Sequence, residues 1–150
     1  MIDIRPAHID DGDHLLIREI DSREIWRTCL SDPQAALRMS IATSRDAWTV
    51  FVDDEIMCIF GVSTISTLTG LGSPWLIGSD LIEEYKWDFL DGSKPFVEKL
   101  KFGYKKLENY VDDENRLSIA WLKWMGFKVD DPLPHGPLGK QFRKFTMEKK

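Results

Sequence analysis

Residues 115–127 read NRLSIAWLKWMGF and combine a helix start, an apolar helical stripe and a helix stop. Asn115 is a residue type favoured at the N-cap of a helix. Apolar side chains then recur at helical spacing as far as Met125. Gly126 readily takes the left-handed conformation that ends many helices. The stretch therefore predicts a helix that ends at Met125 and a strand that begins at Phe127, a combination that many α/β proteins contain.

Apolar periodicity, caps and turn residues predict the remaining elements. They are strands near 2–5, 47–52, 56–65, 75–78, 109–112, 127–130 and 141–147, and helices near 10–20, 22–30, 33–43, 80–91 and 93–109. In the last of these helices one apolar stripe is formed by Phe96, Leu100, Tyr104 and Leu107. A Pro/Gly loop at 132–139 separates the final two strands. Hairpins and crossovers together indicate a mixed α/β fold.

The 115–127 stretch resembles the signature of the GNAT N-acetyltransferase superfamily, Asn-x-x-(Ala/Ser)-x-x-x-(Tyr/Leu)-x-x-x-Gly-Phe. Asn115, Ser118 and the pair Gly126–Phe127 occupy its positions. The order of elements along nearly all of the chain is similar to that of the superfamily, and the chain as a whole resembles the small GNAT-like proteins of podophages, including the internal virion protein A family. The resemblance implies a GNAT-like mixed α/β fold, in which helices flank a central, mostly antiparallel twisted sheet with splayed middle strands.

Length and composition are those of one globular domain. The chain has 150 residues, of which 43% are hydrophobic and 30% charged, and this predicts a single domain over 1–150. No apolar stretch approaches the roughly 20 residues of a membrane span, and the first residues lack the pattern of a signal peptide. Cys29 and Cys58 lack the spacing of a disulfide framework or a metal site, so we expect free thiols, no metal and a cytoplasmic protein.

Charge is distributed unevenly along the chain. Residues 1–98 carry a net charge of −10, and residues 99–150 carry +5. A basic C-terminal third is typical of a surface for nucleic acid or a polyanionic cofactor, and equally of a solvated helix face with a lysine-rich tail. The acidic remainder argues against general DNA binding, which needs a phosphate-neutralising surface. We therefore do not expect nucleic acid or a membrane to be the partner.

The resemblance implies acetyl-CoA as the cofactor. The implied contacts are the backbone of Leu76, Ile77, Gly78 and Ser79 and the helix positions Asn115 and Ser118. Superfamily members usually bind the pyrophosphate with a glycine-rich loop after the fourth strand, but residues 79–95 contain one glycine. Gly92, Ser93 and Lys94 are the remaining candidates for this contact, with an ordinary capped helix start as the alternative.

The resemblance leaves the proton chemistry open. Many superfamily members place a tyrosine proton donor four residues before the glycine of Gly-Phe, where this chain has Leu122. Tyr110 is a candidate substitute, whereas Tyr104 fits a core position better. The candidate bases are Asp80, Glu83 and Glu84, although helix capping or solvent exposure explains them equally well. Direct attack by a neutral amine on a polarised thioester needs little acid–base machinery.

Two functions follow from these expectations. The first is a phage-encoded, acetyl-CoA-dependent N-acetyltransferase that acts on a small-molecule or protein amine by direct attack. The second is a catalytically degenerate phage protein of this fold that binds host, virion or morphogenesis proteins, in the host cytoplasm or in the virion. The gap between the strands near 75–78 and 109–112 distinguishes them, because the pantetheine arm of the cofactor requires an open cleft.

Overall fold

The computed structural model describes residues 2–148. Its strands are β1 (Ile2–Pro6), β2 (Asp46–Val52), β3 (Glu55–Ser66), β4 (Leu71–Gly78), β5 (Lys106–Asp112), β6 (Lys128–Val129), β7 (Leu133–His135) and β8 (Lys140–Glu148). Its helices are α1 (Asp11–His14), α2 (Glu19–Cys29), α3 (Pro33–Thr43), α4 (Leu81–Glu84), α5 (Lys86–Ser93), α6 (Phe96–Lys101) and α7 (Arg116–Met125). None of these helices is long and apolar enough to cross a membrane.

The eight strands form one sheet in the order β1-β2-β3-β4-β5-β8-β6, with β7 also paired to β8. Neighbouring strands run antiparallel except β4 and β5, which are parallel. The connection between these two strands carries α4, α5 and α6, because parallel neighbours need a crossover. This arrangement confirms the predicted mixed α/β class with a mostly antiparallel central sheet.

Two helical layers cover the two faces of the sheet. Successive side chains of a strand point to opposite faces. Phe60 and Leu76 accordingly join a core cluster with buried residues of α5, α6 and α7. Ile59 and Ile77 join a second cluster with Leu37 of α3 and with Ile25 of α2. An opening between strands in the middle of this sheet therefore connects the α2–α3 layer to the α5–α7 layer.

The predicted helix at 10–20 is wrong beyond His14, where α1 ends. The chain becomes extended there, and Arg18 donates its backbone N–H to the carbonyl oxygen of Gly78 in β4 at 2.8 Å. The edge of β4 thus provides the hydrogen-bond acceptor for the Arg18 N–H. In a continuous helix, this N–H would have bonded to a carbonyl oxygen of the helix itself. As a result α2 begins at Glu19, earlier than the capping pattern predicts. The third helix, α3, has the predicted bounds.

The predicted helix at 93–109 is also wrong, because it is cut short at Lys101, where α6 ends. Gly103 follows with a φ of +83°, which a right-handed helix does not use. Lys105 then donates its backbone N–H to the carbonyl oxygen of Gly70 at 2.7 Å, and the following residues enter the sheet as β5. The last two residues of the predicted apolar stripe therefore lie outside the helix.

The region after α7 follows the prediction at first and then departs from it. Gly126 has a φ of +100° and ends α7 as predicted. The predicted loop at 132–139 contains β7, which pairs with β8. Strand β8 therefore pairs with β5 along one edge and with β6 and β7 along the other. This pairing brings the Pro/Gly segment close to β5.

Candidate functional site

Strands β4 and β5 separate soon after they meet. They pair at two positions, Leu71 with Lys106 and Gly72 with Leu107, and beyond these the described residues show no further pairing between the two strands. The opening is a cleft of about 200 Å³ with walls from β4, β5, α2, α3 and α7. It therefore passes through the sheet from one helical layer to the other. The predicted splaying of the middle strands is confirmed.

Alternate residues of β4 point their backbone groups towards this cleft. The carbonyl oxygen of Pro74 accepts a hydrogen bond from the side chain of Asn109 at 2.8 Å. At the far end, the Gly78 N–H donates to Asp21 at 2.8 Å, and the Gly78 carbonyl oxygen accepts from the backbone at the start of α2. Leu76 lies midway between these residues, so the alternation along a strand directs its N–H and C=O into the cleft.

The backbone groups of the other three predicted contacts, Ile77, Gly78 and Ser79, are bonded within residues 2–148, unlike those of Leu76. Ile77 alternates with Gly78, so its N–H and C=O are directed at β3, where it lies opposite Ile59. The N–H of Ser79 donates to the carbonyl oxygen of Met57 at 2.8 Å. Both residues therefore use their backbone within the sheet or at its end. Gly78 faces the cleft, but its N–H and C=O are bonded to α2, as described above. Of the four predicted positions, Leu76 is the one whose backbone is directed at the cleft without a partner in the described chain.

The predicted residues Asn115 and Ser118 lie at the N-cap and in the first turn of α7. The Asn115 side chain is 1% exposed, accepts from Arg18 at 3.0 Å and donates to Asp21 at 2.9 Å. Ser118 is 5% exposed and lines the cleft, yet its hydroxyl has no hydrogen-bond partner among residues 2–148. Leaving a buried hydroxyl unpaired costs free energy. Ser118 Oγ is therefore a polar contact that a molecule in the cleft would satisfy.

Glu24 of α2 is a titratable residue of the cleft that the sequence analysis missed. Its Oε1 accepts the backbone N–H of Asp112 at 2.7 Å, and no hydrogen bond reaches Oε2 from the described residues. Burial, reinforced by the charges of Asp21 and Asp112, raises the pKa of Glu24 to about 8. A carboxyl group with this pKa exchanges protons close to neutral pH, where acid–base catalysts work. A glutamate on an amphipathic helix is usually exposed, so no sequence signal marked it.

Tyr110 lies on the α2–α3 side of the cleft, because the next residue along β5, Val111, belongs to the core on the other side. Its ring stacks on His135 of β7, with the centroids 3.7 Å apart and the planes at 10°. The following residue, Gly136, has a φ of +81°, and a Cβ atom there would lie 2.6 Å from the carbonyl oxygen of Arg27. The β7 segment and α2 thus form one continuous wall beside Tyr110.

A buried polar network closes the end of the cleft near Gly78. Arg18 is 2% exposed, and its guanidinium donates to Asp21 at 2.8 Å, to Asn115 at 3.0 Å and to Glu83 at 3.4 Å. Asp21, which is 1% exposed, also accepts the backbone N–H of Gly78. The network ties α2, β4 and α7 together. It joins residues far apart in the chain, so spacing in the sequence gave no sign of it.

Of the four candidate catalytic residues, the three carboxylates lie outside the cleft. Asp80 is exposed ahead of α4, and its side chain makes no capping hydrogen bond. The Glu83 carboxylate is 63% exposed and pairs with Arg18 at 3.4 Å. Glu84 is exposed as well. None of the three carboxylates belongs to the described lining of the cleft, whereas Tyr110 does. The structure thus brings Tyr110, and none of these carboxylates, to the side of Ser118.

Gly92, Ser93 and Lys94 lie at the end of α5 and not at the start of a helix. The prediction of a helix start there is wrong, because α5 continues through Ser93. The Ser93 hydroxyl is buried and accepts a hydrogen bond from the indole N–H of Trp121 at 3.0 Å. Lys94 donates to the backbone carbonyl of Trp124 at 2.8 Å. None of the three is found in the described lining of the cleft.

Solved structures of acetyltransferases share the overall fold of this chain. A GNAT-family acetyltransferase from Streptococcus pneumoniae matches with a TM-score of 0.61 and 9% identity over 100% of both chains. A mutant of the spermidine N-acetyltransferase SpeG from Vibrio cholerae matches with a TM-score of 0.65 and 11% identity, over 98% of this chain and 93% of that one. The ribosomal alpha-N-protein acetyltransferase RimL, in complex with coenzyme A, matches with a TM-score of 0.64 and 7% identity, over 98% of this chain and 93% of that one.

Comparisons of the sequence itself give a different result. No profile of a known protein family matches it, and neither does any curated protein. The resemblance to podophage proteins is not supported by these comparisons. At identities between 7% and 11%, the likeness to the quoted structures concerns the fold alone. The chain therefore has the fold of the GNAT acetyltransferases.

Proposed function

We propose that this chain transfers an acetyl group from acetyl-CoA to an amine in the cleft between β4 and β5. The observation that carries the proposal is the unpartnered Ser118 hydroxyl, buried in the wall of a cleft that also holds the Glu24 carboxyl group. The cleft passes through the sheet, so donor and acceptor can meet in it from opposite faces. The acetyltransferase fold of the structural neighbours supports the same assignment.

The cleft residues fit the thioester end of the donor. When bound, acetyl-CoA supplies an acetyl group activated as a thioester. Ser118 Oγ and the backbone N–H of Leu76 are hydrogen-bond donors on this cleft, and donors aimed at a reacting carbonyl stabilise the charge that develops on it. Val111, Trp121 and Leu122 supply buried apolar walls. These walls exclude water and so strengthen the polar contacts inside the cleft.

Glu24 is the proposed proton acceptor. Its Oε1 is held by the backbone N–H of Asp112, so Oε2 is available to take a proton from the attacking amine. With a pKa of about 8, the carboxyl is mostly protonated at pH 6 and mostly ionised at pH 9. The fraction able to act as a base therefore increases as the pH rises through 8. Activity that depends on this base follows the same direction.

Tyr110 is the proposed proton donor to the leaving thiolate. Leu122 occupies the position where the resemblance places a tyrosine, and a leucine has no proton to give. The Tyr110 ring is fixed by the His135 ring stacked against it, which limits the positions that its hydroxyl can reach. The acceptor, a small-molecule or protein amine, approaches on this same side, where Thr28 and Ser40 line the cleft.

The test is a steady-state measurement of acetyl transfer between pH 6 and 9, with acetyl-CoA and a panel of amines. The panel includes an aromatic amine, whose own nitrogen stays uncharged over this range. The wild-type rate with that acceptor is expected to rise with an inflection near pH 8. Glu24→Gln is expected to lower kcat about 10²-fold or more and to remove the inflection, because a positioned base contributes on this scale.

Glu19→Gln is the matched control, since Glu19 is an exposed residue of the same helix. It is expected to retain both the wild-type rate and the wild-type pH profile. Transfer by Glu24→Gln at the wild-type rate, with the inflection intact, contradicts the role of Glu24. Absence of transfer from acetyl-CoA to every amine contradicts the proposed function itself.

A second candidate function is partner binding without acetyl transfer. The observation that favours it is the capture of the Gly78 N–H by Asp21, which removes one backbone donor from the cleft edge. The same experiment separates the two functions. A protein that only binds partners shows neither donor binding nor transfer, and its Glu24→Gln variant behaves like the wild type.

A further inference from the structure

The turn that follows β4 carries three acidic side chains within five residues. Asp80, Glu83 and Glu84 are exposed in and around the short helix α4. The GNAT resemblance places the cofactor pyrophosphate after this strand. Carboxylates repel a pyrophosphate, and the repulsion is largest at low ionic strength. The charge of this turn is therefore opposite to the charge that the nucleotide end of coenzyme A needs.

Most backbone N–H groups of the same turn, those of Gly78, Ser79, Leu81, Ile82 and Glu83, are already bonded. The Gly78 N–H donates to Asp21, and the Ser79 N–H donates to a carbonyl oxygen of β3. The Leu81 N–H lies 3.3 Å from Ser79 Oγ, and the Ile82 N–H donates to the carbonyl oxygen of Ser79 at 3.1 Å. An anion cradle needs several amides that point outward without partners. These amides instead stabilise the turn.

Two arginines beside this turn are paired as well, and the ammonium of Lys86 lies over the ring of Trp87. Arg18 is buried and shares its guanidinium among Asp21, Asn115 and Glu83. Arg23 lines the same surface depression and lies 3.8 Å from Glu114. The other candidate for the pyrophosphate, the segment 92–94, has its hydroxyl buried in the core and its lysine held by α7. None of these groups is arranged to receive a pyrophosphate.

Neither the turn after β4 nor the segment 92–94 fits the pyrophosphate of coenzyme A. We therefore infer that the chain recognises its acyl donor by the thioester end alone. The inference rests on the proposed function and narrows it: the nucleotide of coenzyme A adds nothing to binding, and a thioester that ends with the pantetheine or cysteamine arm serves equally well. The reaction is the same with each donor. The C–N bond to the acceptor forms, the C–S bond breaks, and the amine proton leaves the acceptor as the thiol is released in protonated form.

The test compares three donors: acetyl-CoA, S-acetylpantetheine and S-acetyl-N-acetylcysteamine. Values of kcat/KM within tenfold of one another are expected, because the cleft contacts are common to all three. A kcat/KM for acetyl-CoA more than tenfold above that for S-acetylpantetheine overturns the inference. In that case the nucleotide supplies binding energy that is used in the transition state.

A binding measurement makes the test independent of turnover. Titration calorimetry with coenzyme A and with pantetheine is expected to give dissociation constants within tenfold of each other. Coenzyme A that binds more than tenfold more tightly overturns the inference and leaves the proposed function standing. Failure of every thioester and thiol to bind overturns the proposed function together with the inference. The two failures are therefore distinguishable, because pantetheine still binds in one and nothing binds in the other.

A charge reversal provides the internal check. Glu84→Lys places a cation in the acidic turn and is expected to tighten coenzyme A binding about two- to fivefold, the scale of an exposed ion pair, without changing pantetheine binding. Glu148→Lys is the control, since Glu148 pairs opposite Lys106 at the closed end of the cleft. If Glu84→Lys weakens coenzyme A binding, the turn already contacts the nucleotide and the inference is wrong.

Discussion

The Ser118 hydroxyl is the side-chain polar atom that residues 2–148 bury without a partner. A buried hydroxyl of this kind costs about 1–3 kcal/mol, and α7 tolerates alanine well. We therefore predict that Ser118→Ala raises the free energy of unfolding by about 1 kcal/mol. The same variant is expected to weaken binding of the thioester donor several-fold. Chemical denaturation and titration calorimetry measure the two effects on one protein sample.

Ser93→Ala is the control for this prediction. The Ser93 hydroxyl is also buried, but it accepts the indole N–H of Trp121. Its removal leaves that N–H unpaired, so the free energy of unfolding is expected to fall while donor binding stays unchanged. A loss of stability in Ser118→Ala would show that its hydroxyl already has a partner, and the assignment of Ser118 as a ligand contact would fail.

At the scale of single residues, the sequence predicted part of the lining of the cleft. Ser118 was identifiable from the motif and Leu76 from its strand, since both depend on local order along the chain. Glu24 was not, because its raised pKa arises from burial and from Asp21 and Asp112. Asp112 lies far from Glu24 in sequence, and only the folded chain brings them together. Asp80 was assigned to the site by its position after β4, but its side chain is exposed outside the cleft.

Among the elements of the fold, the β7 segment forms the wall that we expect to contact the acceptor. Gly136 packs against α2 so tightly that a Cβ atom would approach the Arg27 carbonyl oxygen to 2.6 Å. Gly136→Ala must therefore push the segment away from α2 and displace the ring of His135 from Tyr110. We predict a several-fold higher KM for the acceptor and an unchanged KM for the donor. Steady-state kinetics with each substrate varied in turn measures both.

Gly139→Ala provides a matched comparison within the same segment. Gly139 also has a positive φ, of +63°, but a Cβ atom there meets no atom within 4 Å. Its substitution carries the backbone strain of this conformation without the clash. The acceptor KM of Gly139→Ala is expected to stay close to that of the wild type. Equal increases in both variants would assign the effect to general strain and not to contact with α2.

Element boundaries were predictable where local chemistry decides them. Asp32 caps α3 by accepting the N–H of Ala35 at 3.0 Å, and Gly126 ends α7 in the left-handed conformation. Boundaries set by distant partners were not predictable. The helix predicted at 93–109 loses its second half because the chain after Gly103 bonds to Gly70 and enters the sheet. Apolar spacing cannot report a strand partner that lies more than thirty residues away.

For the molecule as a whole, the cleft depends on two features of the sheet. Pairing of β4 and β5 stops after Gly72 and Leu107, and the network of Arg18, Asp21 and Asn115 holds the separated end in place. A buried ion pair is costly to break, because removal of one partner leaves the other charge uncompensated. The open cleft is therefore a stable part of the fold and was predictable from the GNAT resemblance, whereas the network that maintains it was not.

The central claim is that this cleft binds the thioester end of an acyl donor. Titration of the wild-type protein with acetyl-CoA, followed by calorimetry and by the shift in unfolding temperature, tests it most directly. We predict one site per chain with a dissociation constant below about 1 mM and a matching rise in unfolding temperature. Neither heat nor a temperature shift at several millimolar acetyl-CoA would contradict the claim and leave the cleft without its proposed ligand.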